Sequence, residues 1–110
     1  MRFAWQQIPS SSITEILCLS DCDGIVLDTE HSLWNDETIS LCLSIIRLTG
    51  KLAYVRLGEI NKLSISKMLD ASADGLIFST VETVEQLRRI KQCVNYPTNC
   101  LLYTSDAADE

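Results

Sequence analysis

The 110-residue chain has no cluster of basic residues, no C-x-x-C pair, no membrane-length apolar run and a single histidine. Each absence removes a class of function. Nine Lys and Arg are scattered among fifteen Asp and Glu, giving a formal charge of −6, whereas a surface that grips phosphates needs clustered cations; no nucleic-acid partner is expected. Part of that charge is terminal. Asp106, Asp109 and Glu110 lie in the last ten residues, which contain no Lys or Arg, so residues 1 to 100 carry −3. The five cysteines, Cys18, Cys22, Cys42, Cys93 and Cys100, are odd in number. The closest approach to a ligand pair, Cys18-x-x-x-Cys22, has no second cluster to complete a zinc or redox site and reads as structural. With no basic region followed by an apolar signal core, and no run near the roughly 18 residues of a membrane span, a reduced, cytoplasmic protein without a membrane partner is expected. Low-complexity blocks and repeats are absent too. The 46% hydrophobic and 22% charged shares suit one modest globular domain or part of one, since a complete eight-fold barrel takes about 250 residues.

What is present centres on Gly24-Ile25-Val26-Leu27-Asp28-Thr29-Glu30-His31. The apolar half suits a strand covered on both faces, as in a parallel sheet, and α/β folds place ligands at the carboxyl ends of such strands. Asp28, Glu30 and His31 stand at that end. Imidazole titrates near neutrality and suits general acid or base work. Taken alone, the octapeptide also fits a solvated strand end carrying an ordinary surface or packing histidine, which is the commoner case for a lone histidine.

Strand and helix signals alternate along the rest. Residues 2 to 8 read as a short strand closed by Pro9. Ser12-Ile13-Thr14-Glu15 reads as a capping box opening a helix with the stripe Ile13, Ile16 and Leu17. Asn35 caps a second helix running to about Leu48, with Ile39, Cys42, Leu43 and Ile46 inward and Gly50 as its stop. Leu52 to Val55 form another buried strand, ending on Arg56. After a turn at Gly58 and Asn61, a third helix carries Ile65, Met68 and Leu69 and ends near Asp70. Gly75 to Phe78 make a fourth strand. Thr83-Val84-Glu85-Gln86 is a second capping box, and Val84, Leu87, Ile90 and Val94 stripe a fourth helix before Pro97. Four β-α units in succession imply an α/β fold with parallel strands and crossover helices. Either a small open doubly wound sheet or the first half of a (β/α)8 TIM barrel fits. If the second and third strands are neighbours, Asp28, Glu30, His31 and Arg56 share one rim, where a guanidinium suits an oxyanion and a histidine can move a proton.

From about residue 4 to residue 98 the sequence resembles the class II aldolases of the HpcH/HpaI type, related to the citrate lyase β chain superfamily. The resemblance rests on Asp28-x-Glu30-His31 after an apolar strand, Val55-Arg56 at the next strand end, Lys67-x-Leu69-Asp70-x-x-Ala73, and Gly75-Leu76-Ile77, in that order and spacing. Trp5, Pro9 and Asn95-Tyr96-Pro97 resemble its flanking landmarks. The resemblance implies the first half of an aldolase-type TIM barrel and a carbon-carbon lyase. Such an enzyme cleaves 2-oxo-3-deoxy or 4-hydroxy-2-oxo acids to pyruvate and an aldehyde. It implies His31 as general base, Arg56 as the cation on the pyruvate enolate, Asp70 as an aid to the histidine, and Asp28 and Glu30 in support. Cleaving a bond beside a carbonyl leaves a carbanion, so a base on the alcohol and a cation on the developing oxyanion are what it needs. A divalent metal (Mg, Mn or Co) is implied as cofactor, with its ligands on strands beyond the fourth and none here, and a homo-oligomer is implied for the parent enzyme.

Two residues depart from the pattern: Ser72 where the family usually has glycine, and Ser79 where it usually has the proline after strand four. Residues 1–99 are therefore expected to form the half barrel. Residues 100–110, beginning Cys100-Leu101-Leu102, are expected to be an unrelated or disordered tail and not a fifth strand, so that the chain would be a truncated, inactive piece. Two other readings stand beside this one. They are a small non-catalytic α/β binding module, and a lyase of the same superfamily acting on a CoA thioester.

Overall fold

The computed structural model describes residues 1–79 and 81–94, and the backbone of 99–102. Its elements alternate as β1 (Phe3–Gln6), α1 (Ser11–Cys18), β2 (Gly24–Asp28), α2 (Asp36–Leu48), β3 (Leu52–Leu57), α3 (Lys62–Asp70), β4 (Gly75–Phe78), α4 (Val84–Cys93) and β5 (Asn99–Leu102). All strand pairs are parallel and the spatial order is β1-β2-β3-β4-β5. Among the described residues that order never reverses, so they form no topological switch point of the doubly wound kind.

The two sheet faces are covered differently, and this decides the architecture. Ile25, Leu27, Ala53, Val55, Leu76 and Phe78 pack with the helical residues Ile39, Cys42, Leu43, Ile46, Ile65, Met68 and Ile90. The other face gathers only strand side chains, Val26, Tyr54 and Ile77 with Phe3 and Leu52 against them. A doubly wound sheet carries helices on both faces; a barrel carries them outside and fills its inside with strand residues. The fold is thus the expected (βα)4 wall of a (β/α)8 barrel. Inside it, Phe3 meets Tyr54 edge-on with ring centroids 5.0 Å apart. Gly24 makes room for that layer: a Cβ there would lie 2.5 Å from Phe3 Cε2 and 2.7 Å from the Leu52 carbonyl oxygen. Gly24→Ala is expected to cost about 2–3 kcal/mol in urea unfolding, because backbone on the neighbouring strand cannot retreat as a side chain can.

Helix starts follow the polar signals in three cases of four. Asn35 accepts from the Thr38 amide, Asn61 from Ser64, and Thr83 with Gln86 closes a reciprocal capping box. The exception is α1. It begins at Ser11 with Ser10 as a cap that makes no side-chain bond, so the box expected at Ser12 does not form. Its inner face is Thr14 and Cys18, and Ile16 points outward, 60% exposed. The cause is a buried polar pair: Thr14 Oγ1 donates to Gln6 Oε1 at 2.8 Å, while Gln6 Nε2 donates to the carbonyls of Ile8 and Ser10. Val84, expected inward on α4, is also exposed, and Ile90 carries that contact.

Two further differences concern backbone. Cys100 to Leu102, expected to start the tail, lie in β5, whose residues pair in parallel register with Gly75–Phe78; a short apolar run is enough to extend a buried parallel sheet. Residues 103–110 and the landmark Asn95-Tyr96-Pro97 fall outside the described residues. Ser72 adopts φ +72°, a left-handed conformation costing an L-residue about 1–2 kcal/mol, so glycine is the easier residue at that turn. No helix among the described residues is long and apolar enough to cross a membrane.

Candidate active site

The inner face of a parallel strand repeats every second residue, so Val26 leads up to Asp28, Tyr54 to Arg56, and Ile77 to Ser79. Asp28, the last residue of β2, is in register with Arg56 of β3. The Asp28 side chain is fully buried. Its Oδ2 accepts from Arg56 Nη1 at 2.9 Å, Trp5 Nε1 at 3.0 Å and Gln7 Nε2 at 3.4 Å, and its Oδ1 accepts from the Glu30 amide at 3.1 Å. Burial pushes this carboxyl up; the Trp5 and Glu30 donors, with the hydrogen bond and charge of Arg56, outweigh it and hold the group below the ordinary 3.8.

The loop after β2 is fixed to β3 by Thr29, whose amide and hydroxyl both donate to the Arg56 carbonyl, at 3.2 and 2.7 Å. That anchoring turns Glu30 back over the rim. Glu30 Oε1 lies 2.8 Å from Arg56 Nη2 and accepts from Ser79 Oγ at 3.1 Å, and Ser79 Oγ itself accepts from Arg56 Nη2 at 3.1 Å. His31 Nε2 stands 3.5 Å from the same Glu30 oxygen, with its side chain 60% exposed. Gly58, just past β3, leaves the space: a Cβ there would come within 2.8 Å of Glu30 Cγ. The Arg56 guanidinium also sits 6.0 Å from the centre of the Trp5 ring.

Asp28, Glu30, His31 and Arg56 therefore meet at the carboxyl-end rim. Asp70 does not join them within the chain: it ends α3 and lies exposed on the outer surface, beside Asp36, Ser40 and Lys67 in the groove between α2 and α3. A helix that follows a strand runs back toward the start of the next one, so its last residue lies at the end of the sheet away from the rim. Three members of the rim were not singled out as site residues: Trp5, Gln7 and Ser79. The signal for them was alternation, since Phe3, Trp5 and Gln7, like Gly75, Ile77 and Ser79, step along one face.

Chemically, the rim presents a guanidinium on a rigid strand beside an imidazole open to solvent. Three of its five N–H groups are engaged by Asp28, Glu30 and Ser79, which leaves donors for a ligand oxygen. Among the described residues no group of three or more His, Cys, Asp and Glu is placed to hold a metal ion. Asp28 and Glu30, the two carboxylates of the rim, both face Arg56. A divalent cation would be repelled there, so these residues do not fit a metal centre by themselves.

Residues 3–103 match the family model of the HpcH/HpaI aldolase/citrate lyase group. The hydroxypyruvate/pyruvate aldolase of Rhizorhabdus wittichii is 30% identical over 92 residues, which cover 84% of this chain and 37% of that protein. The 2-keto-3-deoxy-L-rhamnonate aldolase of Salmonella gallinarum is 29% identical, over 84% of this chain and 35% of that one. Among solved structures, the citrate synthase SbnG aligns with a TM-score of 0.81 at 28% identity, over 88% of this chain and 40% of its own. The chain spans little more than a third of the length of the curated relatives it matches.

Proposed function

The chain belongs to the HpcH/HpaI aldolase/citrate lyase family, and from that premise we propose that it supplies the base and the oxyanion-binding cation of a class II aldolase. The reaction is reversible cleavage of a 2-oxo-3-deoxy or 4-hydroxy-2-oxo acid to pyruvate and an aldehyde. The observation that carries this reading is the convergence of His31 and Arg56 on one rim, either side of the Glu30 carboxylate. His31 takes the proton of the C4 hydroxyl as the C3–C4 bond breaks. Arg56, held by Asp28 from below, donates to the oxygen on which enolate charge grows. A cation already aimed at that oxygen needs no reorganisation as charge develops, which is why such a group lowers the barrier. Asp28 and Glu30 support: one fixes the arginine, the other faces both arginine and histidine.

The resemblance implies a divalent metal as the further polarising group, supplying Lewis-acid chemistry to the 2-oxo acid when bound; the rim residues described here do not hold it. Asp70 enters this reading only through the resemblance. A small 2-oxo acid is the partner in solution. The likeness to a citrate synthase favours a second reading within the same chemistry, in which an enolate held at Arg56 is joined to a carbonyl rather than released from one.

The test is a chimera. With this segment replacing the matching 92 residues of the Rhizorhabdus wittichii aldolase, pyruvate release with Mn²⁺ or Co²⁺ is expected within about 10²-fold of the parent, the penalty typical of slight misplacement. The 110-residue chain alone is expected to release none. A folded chimera without turnover, or robust turnover by the chain alone, counts against the proposal.

A further inference from the structure

Ser79 is an uncharged side chain that touches both charged partners above Asp28, Arg56 and Glu30. It follows β4 directly and continues the inner-face series of Gly75 and Ile77. A hydroxyl has one hydrogen to donate and lone pairs to accept. Here the hydrogen goes to Glu30 Oε1 at 3.1 Å and a lone pair takes an N–H of Arg56 Nη2 at 3.1 Å. Since Arg56 Nη2 also lies 2.8 Å from Glu30 Oε1, the three groups close a triangle. Both N–H groups of Nη2 are then used, one on each oxygen.

We propose that Ser79 is a positioning residue for the rim: by bridging Arg56 and Glu30 it holds the guanidinium in one rotamer and leaves the second Nη1 hydrogen and the Nε hydrogen as the donors open to an incoming oxyanion. The consequence concerns specificity of approach. With the hydroxyl gone, one Nη2 hydrogen is released toward solvent, and the ion pair between Arg56 and Glu30, the more exposed of the arginine's two, is free to swing. Asp28 alone cannot prevent that, because it grips the other nitrogen and leaves rotation about the chain of single bonds below it. The inference rests on the functional reading for its significance, but its geometry does not, and the test is chosen accordingly.

Side-chain nitrogen NMR of the 110-residue chain reads it directly. In the parent sequence the Arg56 Nη1 and Nη2 signals are expected to be separate, with slow rotation about the Cζ–Nη bonds. In Ser79→Val, which has the size of threonine without its hydroxyl, rotation is expected to speed up about tenfold, as loss of one hydrogen bond to a charged group implies. Ser79→Thr is expected to restore the slow, separate signals. Ser79→Ala serves if the valine variant does not fold, with backbone amide spectra reporting the fold. Unchanged Arg56 signals in the valine or alanine variant, or a threonine variant that behaves like valine, would overturn the assignment. Neither result depends on turnover by the chimera, so failure here and failure of the aldolase reading are separate events.

Discussion

Replacing Arg56 by methionine is expected to lower folding stability by about 3 kcal/mol at neutral pH, and that deficit is expected to shrink in acid. Methionine keeps the apolar stem and removes the charge and its donors. What it leaves behind is Asp28, fully buried beneath the rim. In the parent sequence, burial raises the Asp28 carboxyl while Trp5, the Glu30 amide and Arg56 lower it further, so its folded value lies below the unfolded 3.8. A carboxyl depressed in this way adds stability that is present above the unfolded value and is lost as pH falls through the folded one. Without Arg56, two of the lowering contributions are gone and the burial cost stays, so the folded value rises and the stabilising gap narrows or closes. As pH falls below the unfolded 3.8 and on through the depressed folded value, the group becomes protonated in either protein and the two stability curves should draw together. Urea unfolding across pH 2.5 to 8 measures both curves. A deficit that stays constant over that range would mean that Arg56 stabilises by packing alone. Combining the change with Asp28→Asn should recover part of the loss, because an amide tolerates the site without a cation.

Asp28 and Arg56 were legible in the sequence as strand-end residues, because an apolar run ending in charge located each end. Alternation of strand and helix left the adjacency of the two strands as a condition, which the register of β2 on β3 meets. The same logic recovered Ile39, Cys42, Leu43 and Ile46 as the inner face of α2, all buried. It failed on α1, where periodicity assumes that whatever turns inward is apolar, yet Thr14 turns inward to meet Gln6 and displaces Ile16 to the surface. It failed again at Cys100 to Leu102, because four residues of strand carry too little pattern to be told from an irregular end. Ser79 was noticed only as a departure from an expected proline. What the departure does, joining Arg56 to Glu30 across two strands, depends on register, and register is a tertiary property that spacing along one chain does not reveal. Asp70 is the converse: its spacing was right for the motif, but a helix terminus on the outer surface is not brought to the rim by any local rule.

Removing the imidazole is expected to give the largest functional effect. In the chimera, His31→Ala should lower kcat for pyruvate release by about 10³-fold, within the range that a positioned general base contributes, while KM changes little. The separation follows from position. His31 is 60% exposed and its Nε2 lies 3.5 Å from the Glu30 oxygen, outside the hydrogen bonds that join Asp28 to Arg56, so the fold and that pair do not depend on it. A substrate anion held through Arg56 would still bind. What is lost is an acceptor for the alcohol proton at the moment the carbon-carbon bond breaks, an interaction that matters in the transition state and little in the ground state. Free imidazole added to the alanine variant should then recover part of the rate, since truncation opens space at the rim and leaves the arginine in place. Glu30→Gln gives a contrasting result: it keeps an oxygen for Arg56 and Ser79 to donate to but removes the charge facing His31, so it should reduce kcat by less than the loss of the histidine does. If His31→Ala keeps turnover within about tenfold of the parent chimera, far short of a general base's contribution, the proton is taken by another group, and the rim serves only to bind the anion.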